Sequence, residues 1–344
     1  MSAAPSARPL RVLQSHGTPG PQTNPYITML AETLDRTPGV RSRPFSWRSA
    51  LFGRYDVFHV HWPEPLVHGR TPLRALVREA LSIALLVRLR LGRVAVVRTR
   101  HNLQAHETPG RAARRFTVGL ATLSRADIAL GTVTPPERAP QTVIPHGHYR
   151  SWYGAFPQPA AEPGRLATVG MLRPYKGVEA LIAAFADAPA DLSLHLAGRP
   201  LDAAFGAHLE ALAAADPRIS LVARHIDDTE FTAAIRRSEL VVLPYTALHN
   251  SGAALAALSL DRPVLLPEGP ASRALSAEVG AGWVSLFTAP LDADDLTAAL
   301  DAARALPDGA QPGLADREWD SAGERHLEVY RAACARPHRG PAHA

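Results

Sequence analysis

A chain of 344 residues exceeds the size at which a single core stops growing, and 46% hydrophobic with 20% charged residues is a globular composition, so two domains are expected. One cysteine, Cys334, excludes an internal disulfide and any cysteine-cluster metal site, which suits a reducing cytoplasm. The net charge of +5 is unevenly divided: residues 1–150 hold 21 Arg against 8 acids, a net +13, whereas residues 151–344 carry −8.

A basic half is compatible with nucleic acid, with anionic lipid headgroups, or with an acceptor bearing phosphate. No aromatic-interleaved basic strand or recognition motif accompanies the charge, which argues against nucleic acid. Residues 1–9 lack the apolar run of about 7 to 15 residues that a secretory signal needs. The most apolar segment, 80–97, is interrupted by Arg88, Arg90 and Arg93 and cannot serve as an unbroken membrane span.

In chain order, short runs rich in Val, Ile and Leu alternate with helical patterns, the signature of parallel sheet with crossover helices. Strands are expected at 10–14, 57–61, 94–99, 128–130 and 142–144, with helices at 26–36, 73–91 and 111–123. A Pro-rich stretch, 151–165, reads as a linker. The alternation then restarts, with strands at 166–169, 192–197, 219–222, 240–243 and 264–266, each followed by a helix. The fold class is therefore α/β, with two Rossmann-like doubly wound domains, 1–150 and 166–315, facing each other across a cleft. A C-terminal helix over 316–335 and a disordered tail over 336–344 complete the expected organisation.

The strongest local signal is Gly170-Met171-Leu172-Arg173-Pro174-Tyr175-Lys176-Gly177, between an expected strand and helix. Gly170 permits a tight turn, the helix start offers free N–H groups, and Arg173 and Lys176 bring positive charge to a strand's carboxyl end. Every other basic residue of the 37 is Arg, so Lys176 is the single ammonium the chain retains. The order of residues excludes a P-loop, since no Gly-Lys-Ser/Thr run is present. A second strand end runs Pro244-Tyr245 to Asn250-Ser251-Gly252, where Ser251 is a natural N-cap and Gly252 lets a ligand approach the backbone. Alone, Ser251-Gly252 reads equally well as a helix cap. Two convergent helix N-termini, however, suit a diphosphate.

These residues, with His101-Asn102, His106-Glu107 and Pro145-His146-Gly147-His148-Tyr149, resemble the GT-B glycosyltransferases of the family 4-like group over nearly the whole chain. Within it they look most like bacterial exopolysaccharide enzymes of the xanthan-type β-1,4-mannosyltransferase kind. The resemblance implies an N-terminal acceptor domain and a C-terminal nucleotide-sugar domain in which Gly170, Arg173, Lys176, Tyr245, Asn250, Ser251 and Gly252 hold the donor. It further implies hexosyl transfer, with mannose from GDP-mannose, to a lipid-linked oligosaccharide at the inner face of the cytoplasmic membrane, and neither cofactor nor metal at the diphosphate. A UDP-sugar donor is the alternative, and a noncatalytic sugar-nucleotide sensor a more distant one.

One departure bears on mechanism. Retaining relatives carry two Glu with seven residues between them before the Pro-Val strand, where this chain has Leu248 and Ala256. Their loss favours inversion, which requires a general base near the acceptor hydroxyl. Candidates lie at two strand ends of the basic half: His61 and Glu64 with His59, and His101 and Glu107 with Asn102 and His106. Any of these histidines also reads as a buried, hydrogen-bonded structural residue. Neither set matches a helical zinc motif, and no metal site is expected. His16 and Asn24, in the loop after the first strand, and His146 and His148, at the end of the first half, should border the cleft; simple connections or a hinge are the plain alternatives. Finally, Arg74, Arg78, Arg88, Arg90 and Arg93 interleave with Leu76, Leu81, Ile83, Leu85, Leu86, Leu89 and Leu91, a pattern for a basic amphipathic helix on an anionic membrane or for a solvated surface helix.

Overall fold

The computed structural model describes residues 8–20, 23–69, 71–92, 94–101, 110–246 and 251–336. The chain divides into two compact units, Met1–Gly147 with Arg317–Ala344, and His148–Asp316. The first contains β1 (Leu10–Gln14), α1 (Pro25–Arg36), β2 (Val40–Arg43), α2 (Trp47–Phe52), β3 (Val57–Val60), α3 (Glu64–Val67), α4 (Pro72–Leu91), β4 (Ala95–Arg100), α5 (Arg111–Leu123), β5 (Ser124–Ala129) and β6 (Gln141–Val143). The second contains α6 (Arg150–Tyr153), β7 (Arg165–Val169), α7 (Val178–Phe185), β8 (Ser193–Ala197), α8 (Ala203–Ala213), β9 (Ile219–Val222) and α9 (Asp228–Arg237). It continues through β10 (Leu240–Val242), α10 (Gly252–Ser259), β11 (Val264–Pro267), α11 (Pro270–Val279), β12 (Val284–Phe287) and α12 (Ala293–Arg304), after which α13 (Trp319–Ala335) returns to the first unit.

Each unit is built on a parallel six-stranded sheet, ordered β2-β1-β3-β4-β5-β6 in the first and β12-β11-β10-β7-β8-β9 in the second. The strands are short apolar runs buried on both faces, as in β3 (Val-Phe-His-Val) and β10 (Leu-Val-Val), so helices must cover both sides. Leu13, Phe58, Val96, Leu85, Leu89 and Phe116 form one core, and Leu166, Leu181, Phe185, Leu196, Val242 and Leu296 the other. Strand order reverses beside β1 and β3 in the first sheet, and beside β7 and β10 in the second. These are the switch points at which such sheets leave a crevice for ligands.

Several differences from the sequence reading have local causes. β2 and β12 are added at sheet edges; β2, Val-Arg-Ser-Arg, has one buried residue and so lacks the apolar run used to find strands. α2 and α3 span six and four residues, too few to show a helical period. The stretch expected as a linker begins with α6 and packs within the second unit: Tyr149 N–H donates to Ser259 Oγ at 2.9 Å and Trp152 Nε1–H to Asp228 at 2.9 Å. Asn24, expected to border a ligand cleft, is the N-cap of α1, its Oδ1 accepting from Tyr26 N–H. Residues 337–344, expected as a tail, lie outside the described residues.

β4 and β5, which position the carboxyl end of the first sheet, are clamped by charge. Arg98 donates through Nε and Nη2 to Asp127 at 2.9 and 2.5 Å, and Ser124 Oγ adds a 2.7 Å bond to the same carboxylate. The Asp127 side chain is fully buried. Asp127→Ala would leave Arg98 with only the more exposed Glu137 as ion-pair partner, and removing one member of a buried pair costs about 3–5 kcal/mol. Urea unfolding of the variant should show a loss of that order; wild-type stability would mean the clamp is not structural.

Candidate functional site

In the second unit, β7 runs into Gly170 at φ +118°, a single 3₁₀ turn over Pro174–Lys176, and Gly177 at φ +68°, which starts α7. The left-handed backbone at Gly177 is not a matter of freedom alone: a Cβ there would stand 2.1 Å from the carbonyl oxygen of Pro244. At Gly198, after β8, a Cβ would stand 1.7 Å from the Gly170 carbonyl oxygen. Glycine thus lets the ends of β7, β8 and β10 meet backbone to backbone. Thr246 N–H completes the junction by donating to Tyr175 O at 2.9 Å.

Lys176 sits in this junction, its Nζ 5.4 Å from the centroid of the Tyr245 ring. Burial pushes its pKa below the usual lysine range; Tyr175 opposes the shift, and the neighbouring Arg173 charge reinforces it. Among the described residues no carboxylate pairs with Lys176, and Arg173 donates only to the carbonyls of Leu172 and Arg199 and to Met171 Sδ. Tyr245 is buried, its hydroxyl hydrogen-bonded with Ser251 and pushed up to about 12 by that burial. Ser251 Oγ caps α10 by accepting from Ala254 N–H at 3.1 Å, and Gly252 is its first residue. The N-terminal ends of α7 and α10 therefore flank the β7/β10 switch point, adding partial positive charge beside two cations. Asn250 lies outside the described residues, and Ala256 is buried in α10.

In the first unit, the loops after β1, β3 and β4 gather imidazoles. Ser15 Oγ donates to His61 O at 2.8 Å and accepts from His61 N–H at 2.7 Å, fixing the ends of β1 and β3 side by side. His61 Nδ1 and His101 Nε2 share a hydrogen bond of 3.0 Å, and His101 stacks on Trp62 at 3.6 Å. Trp62 adopts φ +32°, a strained conformation for a bulky residue. His59 is bonded at both ring nitrogens, to Thr99 Oγ1 and to the Tyr330 hydroxyl, each at 2.8 Å. The His16 Nδ1–H donates to the Gly17 carbonyl at 2.9 Å, which leaves Nε2 as the lone-pair nitrogen.

Burial, with the neighbouring imidazoles adding to it, drives His59 and His61 well below their ordinary pKa, and burial does the same to His101 with His146 contributing. His16 is lowered by burial too. At neutral pH these rings are uncharged and carry lone pairs. Glu64, half-buried at the start of α3, forms no ion pair among the described residues. No group of three His, Cys, Asp or Glu among the described residues is arranged to hold a metal ion.

The described features agree with what the chain resembles. Residues 163–304 match the family described as Glycosyl transferases group 1. The GDP-mannose:glycolipid 4-beta-D-mannosyltransferase of Xanthomonas campestris pv. campestris is 39% identical over 331 residues, covering 96% of this chain and 94% of that protein. The chain is a group 1 glycosyltransferase. Its two-sheet architecture matches GT-B enzymes: the catalytic domain of starch synthase IV from Arabidopsis thaliana has a TM-score of 0.61 at 9% identity, covering 96% of this chain and all of that one. Anabaena Alr3699/HepE in complex with UDP-glucose has a TM-score of 0.59 at 16% identity, over 94% and 97% of the two chains.

Within this glycosyltransferase, Gly170, Arg173, Lys176, Tyr245, Ser251 and Gly252 are brought together around one switch point, and His16, His61 and His101 around the other. His146 is buried against Tyr26, with ring centroids 4.5 Å apart. His148 belongs to the second unit, its Nδ1 accepting from Arg150 N–H at 3.3 Å. Asn102, His106 and Glu107 lie outside the described residues. Sequence reasoning missed Gly198, Trp62, Tyr26, Tyr330 and His326. The Gly198-Arg199-Pro200 turn after a strand was a signal for the first; contacts such as Tyr330 with His59 join positions 271 apart and leave no local pattern.

The buried histidines make stability depend on pH. His146 and His326 are each held at about 4 by burial, against about 6.5 in an unfolded chain. Between those values the unfolded chain binds protons that the native one does not, so stability is complete above about pH 6.5 and falls as pH drops towards 4. Each histidine costs about 1.4 kcal/mol per pH unit in that window, so denaturant unfolding at pH 5 should give a free energy about 4 kcal/mol below that at pH 7.5 from these two alone. A flat profile would show that they are not held neutral.

Proposed function

We propose that this glycosyltransferase moves a mannosyl group from GDP-mannose to a lipid-linked saccharide, in the synthesis of an exopolysaccharide or cell-envelope glycan at the inner face of the cytoplasmic membrane. The observation that carries the reading is the 39% identity, over 96% of the chain, to a mannosyltransferase whose name gives GDP-mannose, a glycolipid and a β-1,4 linkage. The physical arrangement supports it. A buried ammonium without a carboxylate partner among the described residues favours an anion, and a nucleotide diphosphate brings one to the N-terminal ends of α7 and α10.

In this reading Lys176, Arg173 and the two helix ends neutralise the departing GDP without a metal ion. Ser251 and Tyr245 hold the α10 end in place. The basic first unit takes the acceptor. Transfer to a β linkage from an α-linked donor inverts the anomeric carbon. An acceptor hydroxyl then gives its proton to a base, for which Glu64, Glu107, His61 and His101 are the candidates. Ala256, buried and apolar where retaining enzymes carry a carboxylate, supports the same stereochemistry.

Calorimetry separates the donor. Lys176→Ala and Arg173→Ala should each weaken GDP binding by about 1.5–3 kcal/mol, the range for hydrogen bonds to charged groups. Unchanged affinity in both would remove the diphosphate site, and tighter binding of UDP than GDP by the unaltered protein would move the reading to a UDP-sugar.

Stereochemistry is tested on the product. With GDP-mannose, EDTA and a lipid-linked acceptor, anomeric coupling constants should report a β-mannoside. Glu64→Gln or Glu107→Gln should lower kcat about 10²- to 10⁴-fold with GDP binding retained. An α-mannoside would overturn inversion, and full activity in both variants would move the base to a histidine.

A further inference from the structure

α4 is 20 residues long, yet among the described residues no helix is apolar enough to cross a membrane. Only Ser82, Leu85 and Leu89 of α4 are buried, and these anchor it to the first core. Leu73, Leu76, Val77, Ile83, Val87 and Leu91 stand exposed, at 71%, 65%, 49%, 56%, 50% and 80%. At 3.6 residues per turn they share one face, with Ala80 and Ala84 filling the gaps, so a continuous apolar stripe runs the length of the helix, about 30 Å at 1.5 Å per residue. Solvated surface helices do not carry such a stripe, and exposed apolar patches of this size mark interaction sites.

The helices on either side extend the surface. α2 is tied to α4 by Arg88, whose guanidinium donates to Ala50 O at 2.8 Å and also to Gly53 O, and Phe52 of α2 is 82% exposed. α5 packs on the other side, with Gly119 against Leu86, and Val118 is 56% exposed. These three helices hold eight Arg and one acid, Glu79. Arg48, Arg54, Arg74, Arg90, Arg111, Arg114 and Arg115 are exposed, so the apolar stripe is bordered by positive charge.

We infer that the α2–α4–α5 face docks on an anionic lipid bilayer, with the α4 stripe and Phe52 inserted among the acyl chains and the bordering arginines on the headgroups. The charge decides between occupants. A second copy of the same face would set these arginines against their own equivalents, whereas an anionic bilayer complements both components at once. The inference extends the lipid-linked acceptor reading above by assigning the surface that would bring the enzyme to it.

The test is flotation of the full chain with phosphatidylcholine vesicles, with and without phosphatidylglycerol. Unaltered protein should float with the anionic vesicles and do so less as salt rises. The double variant L76E/I83E, exposed at both positions and so not expected to disturb the core, should lose partitioning by about 100-fold or more, with GDP affinity unchanged as proof of folding. Arg90→Gln should lose about fivefold, and only on anionic vesicles. Failure of the unaltered chain to float, or flotation indifferent to L76E/I83E, would overturn the inference. A concentration-dependent dimer that L76E/I83E abolishes, with no flotation, would assign the face to a second copy and overturn it equally. A chain that floats as described but transfers no mannose would overturn the function proposed above and leave this surface standing.

Discussion

Close approach of backbone to backbone at two glycines, Gly177 and Gly198, governs the second unit. With any other residue at Gly198 or Gly177, a Cβ would overlap the carbonyl of Gly170 or Pro244, and the ends of β7, β8 and β10 would have to separate. Their approach allows Tyr175 to receive Thr246 N–H and places Lys176 over Tyr245. It also leaves the first turns of α7 and α10 following neighbouring strands, β7 and β10. The meeting of these strand ends is thus a consequence of steric permission more than of any single charge.

The first unit solves a different problem at its own switch point. Here the carboxyl ends of β1, β3 and β4 present imidazoles in place of cations, although the unit as a whole is strongly basic. Burial and mutual repulsion keep the rings neutral, so the local site is far less positive than the surrounding surface. Neutral imidazoles act as acceptors for hydroxyl protons, which imidazolium could not do. The carboxyl ends of the two sheets therefore present different chemistry, neutral imidazoles at one and an ammonium and a guanidinium at the other. The strain at Trp62, stacked on His101, is of the kind that persists only where surrounding contacts over-determine it.

Most of the architecture was legible because parallel strands buried on both faces must be apolar throughout, and such runs stand out between helical stretches. The elements that escaped are those for which this logic fails: β2 and β12, partly solvated at sheet edges, and α2, α3 and α6, shorter than the period needed to recognise a helix. The β7/β10 junction was legible as motif because its glycines, Lys176 and Ser251 follow strands closely. The histidine cluster was legible only as composition. Which ring nitrogen meets which partner depends on Thr99, His101 and Tyr330, brought from distant segments. Likewise, Arg88 read as one more surface charge on α4, whereas it turns inward to hold the end of α2.

The persistence of one lysine among 36 arginines has a geometric reason in this setting. The ammonium lies above Gly170, where an added Cβ would come within 3.7 Å of Nζ, and beside the Tyr245 ring. A compact point charge with three rotatable donors fits between a glycine and a ring face, and it can turn its protons toward phosphate oxygens without moving its stem. A guanidinium is wider and planar, and it directs its donors in a fixed fork. The one lysine of the chain therefore stands where a compact ammonium fits better than a planar fork.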